Sequence, residues 1–148
     1  MTRSRATRSA GDGRAEYIRQ IADLRAALNW AFSDTGDVRL GVALPAGAAD
    51  LWLTVSLLKE CYDWGSKALA HLGPAGGSRD EMILQCGFGQ ALTRSRGTLP
   101  AARNALARAL MLAEALADFT YQFRAIQGLW LFALRVVDFR ECPAFARK

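Results

Sequence analysis

Few residues in this chain could do chemistry, and their spacing narrows that chemistry further. His71 is the single histidine. Any Ser-His or Cys-His nucleophile, and any histidine-bearing metal site, would have to be built on it. Its position near the end of a helical segment favours a bond to terminal carbonyls instead. Cys61, Cys86 and Cys142 are an odd number and widely separated, which favours burial as small apolar side chains over a redox or metal role. A reducing, cytoplasmic compartment is the expectation that follows. Glu60 and Asp63 are close enough to form an acid/base pair, but that use needs an apolar pocket to raise one pKa. The polar stretch 59–63 reads instead as a solvated hairpin turn. Gly87-Phe88-Gly89 begins like a dinucleotide fingerprint, yet Leu92 stands where the third glycine belongs and no strand pattern precedes it. Close helix packing is the better account.

Four arginines, Arg94, Arg96, Arg103 and Arg108, flank one loop and form the candidate partner-binding patch, suited to an acidic peptide or a phosphate if it is more than a solvated face. Trp30, Trp52, Trp64 and Trp130, with Phe88, Phe132 and Phe139, lie on periodic apolar faces, so they are expected as core anchors rather than as an aromatic cage. No catalytic residue, cofactor-binding residue or metal ligand is assigned, and no cofactor is expected.

These side chains need elements to hold them, and the chain of 148 residues is long enough for one domain with a real core. Its apolar share of 51% and charged share of 22% are those of an ordinary globular protein. The most apolar stretch, Leu40 to Leu58, is broken by Pro45, Gly47 and Asp50 and reads as buried helix rather than a membrane span. Of the net charge of +5, +3 comes from Arg3, Arg5, Arg8 and Arg14 against Asp12, in a tail of residues 1–14 expected to be disordered. The body, residues 15–148, is left too weakly basic to be expected to bind nucleic acid directly.

Along that body the apolar spacing is helical throughout. Glu16 to Phe32 is an amphipathic helix ended by the turn formers of 33–37. A second helix runs from Val38, with Pro45 expected to kink or interrupt it before the apolar segment that carries Trp52. Trp30 is expected to be buried against that segment. Trp64 to Leu72 forms a return helix, and Gly73 to Ser78 is a loop. Ser78 and Glu81 form a capping box for a helix over 79–96, with Gly97 as its C-cap. Thr98 and Pro100 start the next helix, which buries Ala102, Ala105, Leu106, Ala109, Leu112, Ala113 and Leu116. A helix over 121–137 is expected to turn Ile126, Leu129, Trp130, Ala133 and Val136 inward. Residues 138–139 then make a turn, and 140–148 begin a return segment.

Two Ala-Leu steps, Ala68-Leu69 and Ala109-Leu110, are 41 residues apart (109 − 68), a period that fits helix-turn-helix repeats. The fold class predicted is all-α, with antiparallel helical hairpins stacked as an α-solenoid whose C-terminal repeat is incomplete. Ala68 and Ala109 should then occupy equivalent packing positions.

Residues 20–33, Gly41-Val42-Ala43-Leu44, Leu51-Trp52, Glu60-Cys61, Ala68-Leu69, Arg108-Ala109-Leu110 and Leu112-Ala113-Glu114 together resemble the tetratricopeptide-like helical region that follows the ATPase module in bacterial winged-helix transcriptional regulators. The chain contains no G-x-x-x-x-G-K-[ST] loop and no winged-helix segment, so neither ATPase activity nor DNA binding comes with the resemblance. What it implies is a non-catalytic interaction or sensor module whose partner is a protein, a peptide or the remaining domains of a larger regulator. Self-association through the apolar C-terminal end is a further expectation. The competing readings are a truncated gene product without an independent role and a small enzyme or ligand-binding helical domain.

Overall fold

The structure is a computed structural model. It describes the backbone of residues 3–73, 76–97 and 99–145 and the side chains of residues 16–73, 76–97 and 99–136. Six helices follow one another: α1 (Arg3–Ala31), α2 (Val38–Thr54), α3 (Leu58–Ala70), α4 (Arg79–Arg96), α5 (Pro100–Ala115) and α6 (Phe119–Phe145). Among the described residues there is no strand, as an all-α class requires. None of their helices is long and apolar enough to cross a membrane. The chain divides into two compact units, Met1–Leu44 and Pro45–Lys148, and the division falls inside α2.

The first unit holds α1 and the start of α2. Helix α1 includes residues 3–14, where composition predicts a disordered tail; the side chains of 1–15 lie outside the described residues. Its buried positions are Ile21, Leu28 and Ala31, at the seven- and three-residue steps of one helical face. Trp30, expected in the core, is 50% exposed. It follows Leu28 by about 200° around the helix, so burying that face turns the indole outward. The turn after α1 is closed by Ser33 N–H on the Trp30 carbonyl (2.9 Å) and Gly36 N–H on the Ser33 carbonyl (3.0 Å). A Cβ at Gly36 would sit 2.0 Å from the Trp30 oxygen, so only glycine fits. Asp37 Oδ1 accepts from the Arg39 amide at 2.9 Å and caps the start of α2.

In the second unit, α2 continues past Pro45. Proline removes one intrahelical bond, but Ala46, Ala48, Ala49 and Trp52 are buried beyond it and hold the helix together. The helix ends at Ser56, whose φ is +62°, and the Leu57 amide bonds back to the Trp52 carbonyl at 2.8 Å, a left-handed closure of the Schellman kind. The turn therefore lies at 55–57 rather than at 59–63. Lys59 and Asp63 pair one turn apart on α3. Serine carries no strong signal for a left-handed residue, which is why the apolar run hides this break. Gly97, 41 positions after Ser56 and also at positive φ, is the C-cap of α4.

Helix α4 has the predicted bounds and cap. Ser78 Oγ accepts from the Glu81 amide at 3.2 Å, and Glu81 Oε2 accepts from the Gly77 amide at 2.6 Å. Helix α5 buries the six expected residues from Ala102 to Ala113, whereas Leu116 caps its end and is exposed. Thr98, the expected cap of α5, lies outside the described residues, and Leu99 occupies the cap position. Asp118 Oδ1 accepts from the Tyr121 amide at 3.1 Å and starts α6.

Helix α6 faces the core with a different side from the one expected. Tyr121, Ala125 and Gly128 are buried, while Ile126, Trp130 and Ala133 are exposed. A Cβ on Gly128 would lie 2.6 Å from Leu106 Cδ2, so the helix approaches α5 too closely for large side chains on that face. The helix also runs through 138–139, where the sequence predicts a turn. It continues to Phe145, so the return segment expected from 140 does not begin there; the side chains of 137–148, Phe139, Cys142 and Phe145 among them, and the backbone of 146–148 lie outside the described residues.

Helix α4 packs against α3, α5 and α6, and Met82 and Cys86 join Ala109, Leu112, Ala113, Tyr121 and Ala125 in the core. Gly87 and Gly89 allow this close packing. A Cβ at Gly87 would meet Ala49 Cβ at 3.1 Å and Cys61 Sγ at 3.5 Å; one at Gly89 would meet Leu106 Cγ at 2.7 Å. Gly128, 41 residues after Gly87, meets Leu106 on α5 and Gln90 on α4, where Gly87 meets α3 and Ala49 on α2. Ala68 and Ala109 are both fully buried, on α3 and α5.

Candidate functional site

Alternate helices of the second unit share one cleft. Ala49, Asp50, Leu53 and Thr54 of α2, Ile83, Cys86, Gly87 and Gln90 of α4, and Tyr121, Arg124 and Gln127 of α6 line a space of about 340 Å³. Ala49 and Gly87 are small because α2 and α4 cross there at close range. That crossing forms the floor and leaves the polar side chains around it.

Asp50 and Arg124 bridge the cleft. Arg124 Nη1 donates to Asp50 Oδ1 at 2.5 Å and to the Tyr121 hydroxyl at 3.3 Å. Its guanidinium carbon lies 5.0 Å from the centre of the Tyr121 ring, within cation–π range. The bond to Asp50 raises the Arg124 pKa further, so the guanidinium keeps its charge. Gln90 Nε2 donates to the Arg124 carbonyl at 3.3 Å and to Cys86 Sγ at 3.4 Å, fixing α4 to α6. Thr54 Oγ1 is turned back onto the Asp50 carbonyl at 2.7 Å.

The nucleophile-type groups here are held in their neutral forms. Burial pushes the Cys86 thiol up to about 11, and burial followed by the Asp50 charge raises the Tyr121 phenol. A thiol kept protonated is a poor nucleophile. The cleft offers a charged pair, amide donors and an aromatic ring, which suits binding a polar segment rather than forming a covalent intermediate. Among the described residues no three His, Cys, Asp or Glu side chains are grouped to hold a metal ion.

The arginine patch is distributed differently. Arg94 Nη1 donates to the Leu53 carbonyl at 3.1 Å, near the C-terminus of α2. Arg96 lies over the Tyr62 ring at 4.9 Å. Arg108 grips Glu81 through Nε at 2.8 Å and Nη2 at 3.1 Å, and that bond holds the Glu81 carboxyl below its ordinary range. Arg103 is exposed beside Leu129, Phe132, Ala133 and Val136. None of the four lines the cleft. Arg94 lines a neighbouring hollow of about 250 Å³ with Gln90, Thr93, Gln127, Gly128, Trp130 and Leu131.

The other singled-out residues are structural. His71 Nδ1 lies 2.8 Å from the Lys67 carbonyl at the end of α3. Cys61 and Cys86 are buried, and burial pushes the Cys61 thiol up to about 12. Of the four tryptophans Trp52 is fully buried, Trp64 is half-buried, and Trp30 and Trp130 are exposed, so the core-anchor expectation holds for Trp52 and fails for Trp30 and Trp130.

Sequence reasoning missed Asp50 and Arg124, which are 74 positions apart. The available signal was their isolation. Asp50 is the one acid in the apolar run 40–58, and Arg124 and Arg135 are the only charged residues in 119–136. A charge stranded in an apolar helix marks a partnered or functional position. Comparison with known proteins adds no relative: no family model, no curated protein and no solved structure matches this chain.

Proposed function

We propose that the chain is a non-catalytic helical-repeat module that binds a peptide segment of a protein partner in the cleft between α2, α4 and α6. In this reading the hairpins α2–α3 and α4–α5, followed by α6, form a tetratricopeptide-like solenoid, of the kind that follows the ATPase module in bacterial winged-helix regulators. The observation that carries it is the sharing of one cleft by alternate helices, bridged by Asp50 and Arg124. In a stack of hairpins the first helix of each repeat lines a common face, and such faces bind extended partners. The interaction of Arg94 with the Leu53 carbonyl supports the repeat. Arg135, 41 residues later, donates to the Thr93 carbonyl at 2.5 Å, so two successive helices of the set are tied to the one before by an equivalent arginine. The neutral thiol and phenol favour binding over catalysis.

Panning a random peptide library against the immobilised full chain tests this. Selected peptides should compete for one site and bind at least about tenfold more weakly to Arg124→Ala and Gln127→Ala, the loss expected for one or two polar contacts. Recovery of no peptide, or of peptides indifferent to both substitutions, would overturn the assignment.

A further inference from the structure

Phe119, Phe123, Ile126, Trp130 and Leu134 form one stripe along α6, and all five are 42–78% exposed. Their steps of four, three, four and four residues keep them on a single side, opposite the buried Ala125 and Gly128. The internal repeat shows what normally covers that side. Phe123, Trp130 and Leu134 stand 41 residues after Met82, Gly89 and Thr93, as 123 − 82, 130 − 89 and 134 − 93 show. Those three α4 residues are buried, and Gly89 lies against Leu106 and the Ala102 carbonyl of α5. The stripe is thus the face on which a helix packs in the preceding hairpin, here carrying Trp130 in place of Gly89 and Leu134 in place of Thr93.

We propose that a second copy of this chain covers it, with the two α6 stripes packed antiparallel across a two-fold axis near Ile126. Three observations select this occupant. The stripe reads nearly the same in both directions from Ile126, with Phe123 and Trp130 flanking it and Phe119 and Leu134 at the ends. Antiparallel pairing therefore sets Phe123 against Trp130 beside the axis and Phe119 against Leu134 at the ends, the self-complementarity an isologous interface requires. Little charge opposes the approach: within 119–136 Arg124 is paired with Asp50 and Arg135 is turned onto the Thr93 carbonyl within the chain, and the exposed Arg103 of α5 stands at the flank, beside Ala133 and Val136, rather than on the stripe. At the 150–250 Å² that a large aromatic carries, the stripe presents roughly 600 Å² of apolar surface per copy. Two copies would bury about 1,200 Å², the lower end of stable interfaces.

Sedimentation velocity on the full chain tests this. A reversible dimer is expected at about 100 µM, with dissociation in the micromolar range typical of small interfaces. Phe123→Glu with Trp130→Glu changes only exposed positions, so helical circular dichroism should be retained while dimer dissociation rises at least about tenfold. In a Cys142→Ser background, Ile126→Cys should give a disulfide-linked dimer on oxidation, because each copy presents residue 126 to its equivalent. A monomeric parent chain at that concentration overturns the proposal. So does a dimer that ignores the double substitution or fails to cross-link through position 126. A monomer whose stripe binds a synthetic peptide of residues 100–116 would overturn it too, assigning the face to a helix of another protein.

Discussion

Glu81 works at the residue scale in two directions. Its carboxylate accepts from the Gly77 amide ahead of α4 and from Arg108 across on α5. The Arg108 bond, ahead of the opposing effect of burial, lowers its pKa. A lowered carboxylate pKa contributes stability that is present above the unfolded value and is lost as pH falls through the folded one. Glu81→Gln should therefore lower stability at neutral pH by about 1–3 kcal/mol, toward the low end because the Arg108 side chain is 39% exposed. The two proteins should converge as pH drops below the ordinary carboxylate range, which urea titrations at several pH values would check; a constant gap would refute the linkage. The capping half of Glu81 was legible in sequence because Ser78 and Glu81 are three residues apart. The Arg108 half was not, since a partner 27 residues away depends on how two helices pack.

At the scale of elements, the glycines separate positions that need no side chain from positions that tolerate one. A Cβ at Gly89 would lie 3.0 Å from the Ala102 carbonyl and 2.7 Å from buried Leu106 Cγ, and a backbone carbonyl has little room to move. Gly89→Ala should destabilise by about 1–3 kcal/mol despite alanine's better helix propensity. Gly47, exposed within α2, has nothing within 4 Å. There the same change should stabilise by about 0.5–1 kcal/mol. Chemical denaturation of both variants checks the opposite signs, and a shared sign would show that the α4–α5 contact is looser than drawn. The bounds of α4 and α5 were readable because Ser, Pro and Gly punctuate them. The start of α3 was not, because the break at Ser56 is a backbone conformation inside an apolar run.

For the molecule as a whole, α4 is the helix with neighbours on most sides, packed on α3, α5 and α6. Within the second unit its amides should be the slowest to exchange with deuterium, since opening them requires separating three partners. Slower exchange in α3 or α6, measured residue by residue, would show that the unit is organised around another element. By itself the sequence determined the helical class, the cap and bounds of α4, the buried face of α5 and a 41-residue spacing. All are set by periodicity and by local backbone chemistry, which act over a few residues or repeat along the chain. The tertiary structure alone decided which side of α6 faces inward. Its pattern offers two apolar sides, Tyr121-Ala125-Gly128 and Phe123-Ile126-Trp130, and periodicity cannot rank them. Close approach to Leu106 favours the smaller one. The same close packing brings Asp50 to Arg124, a pairing across three helices that no local spacing encodes.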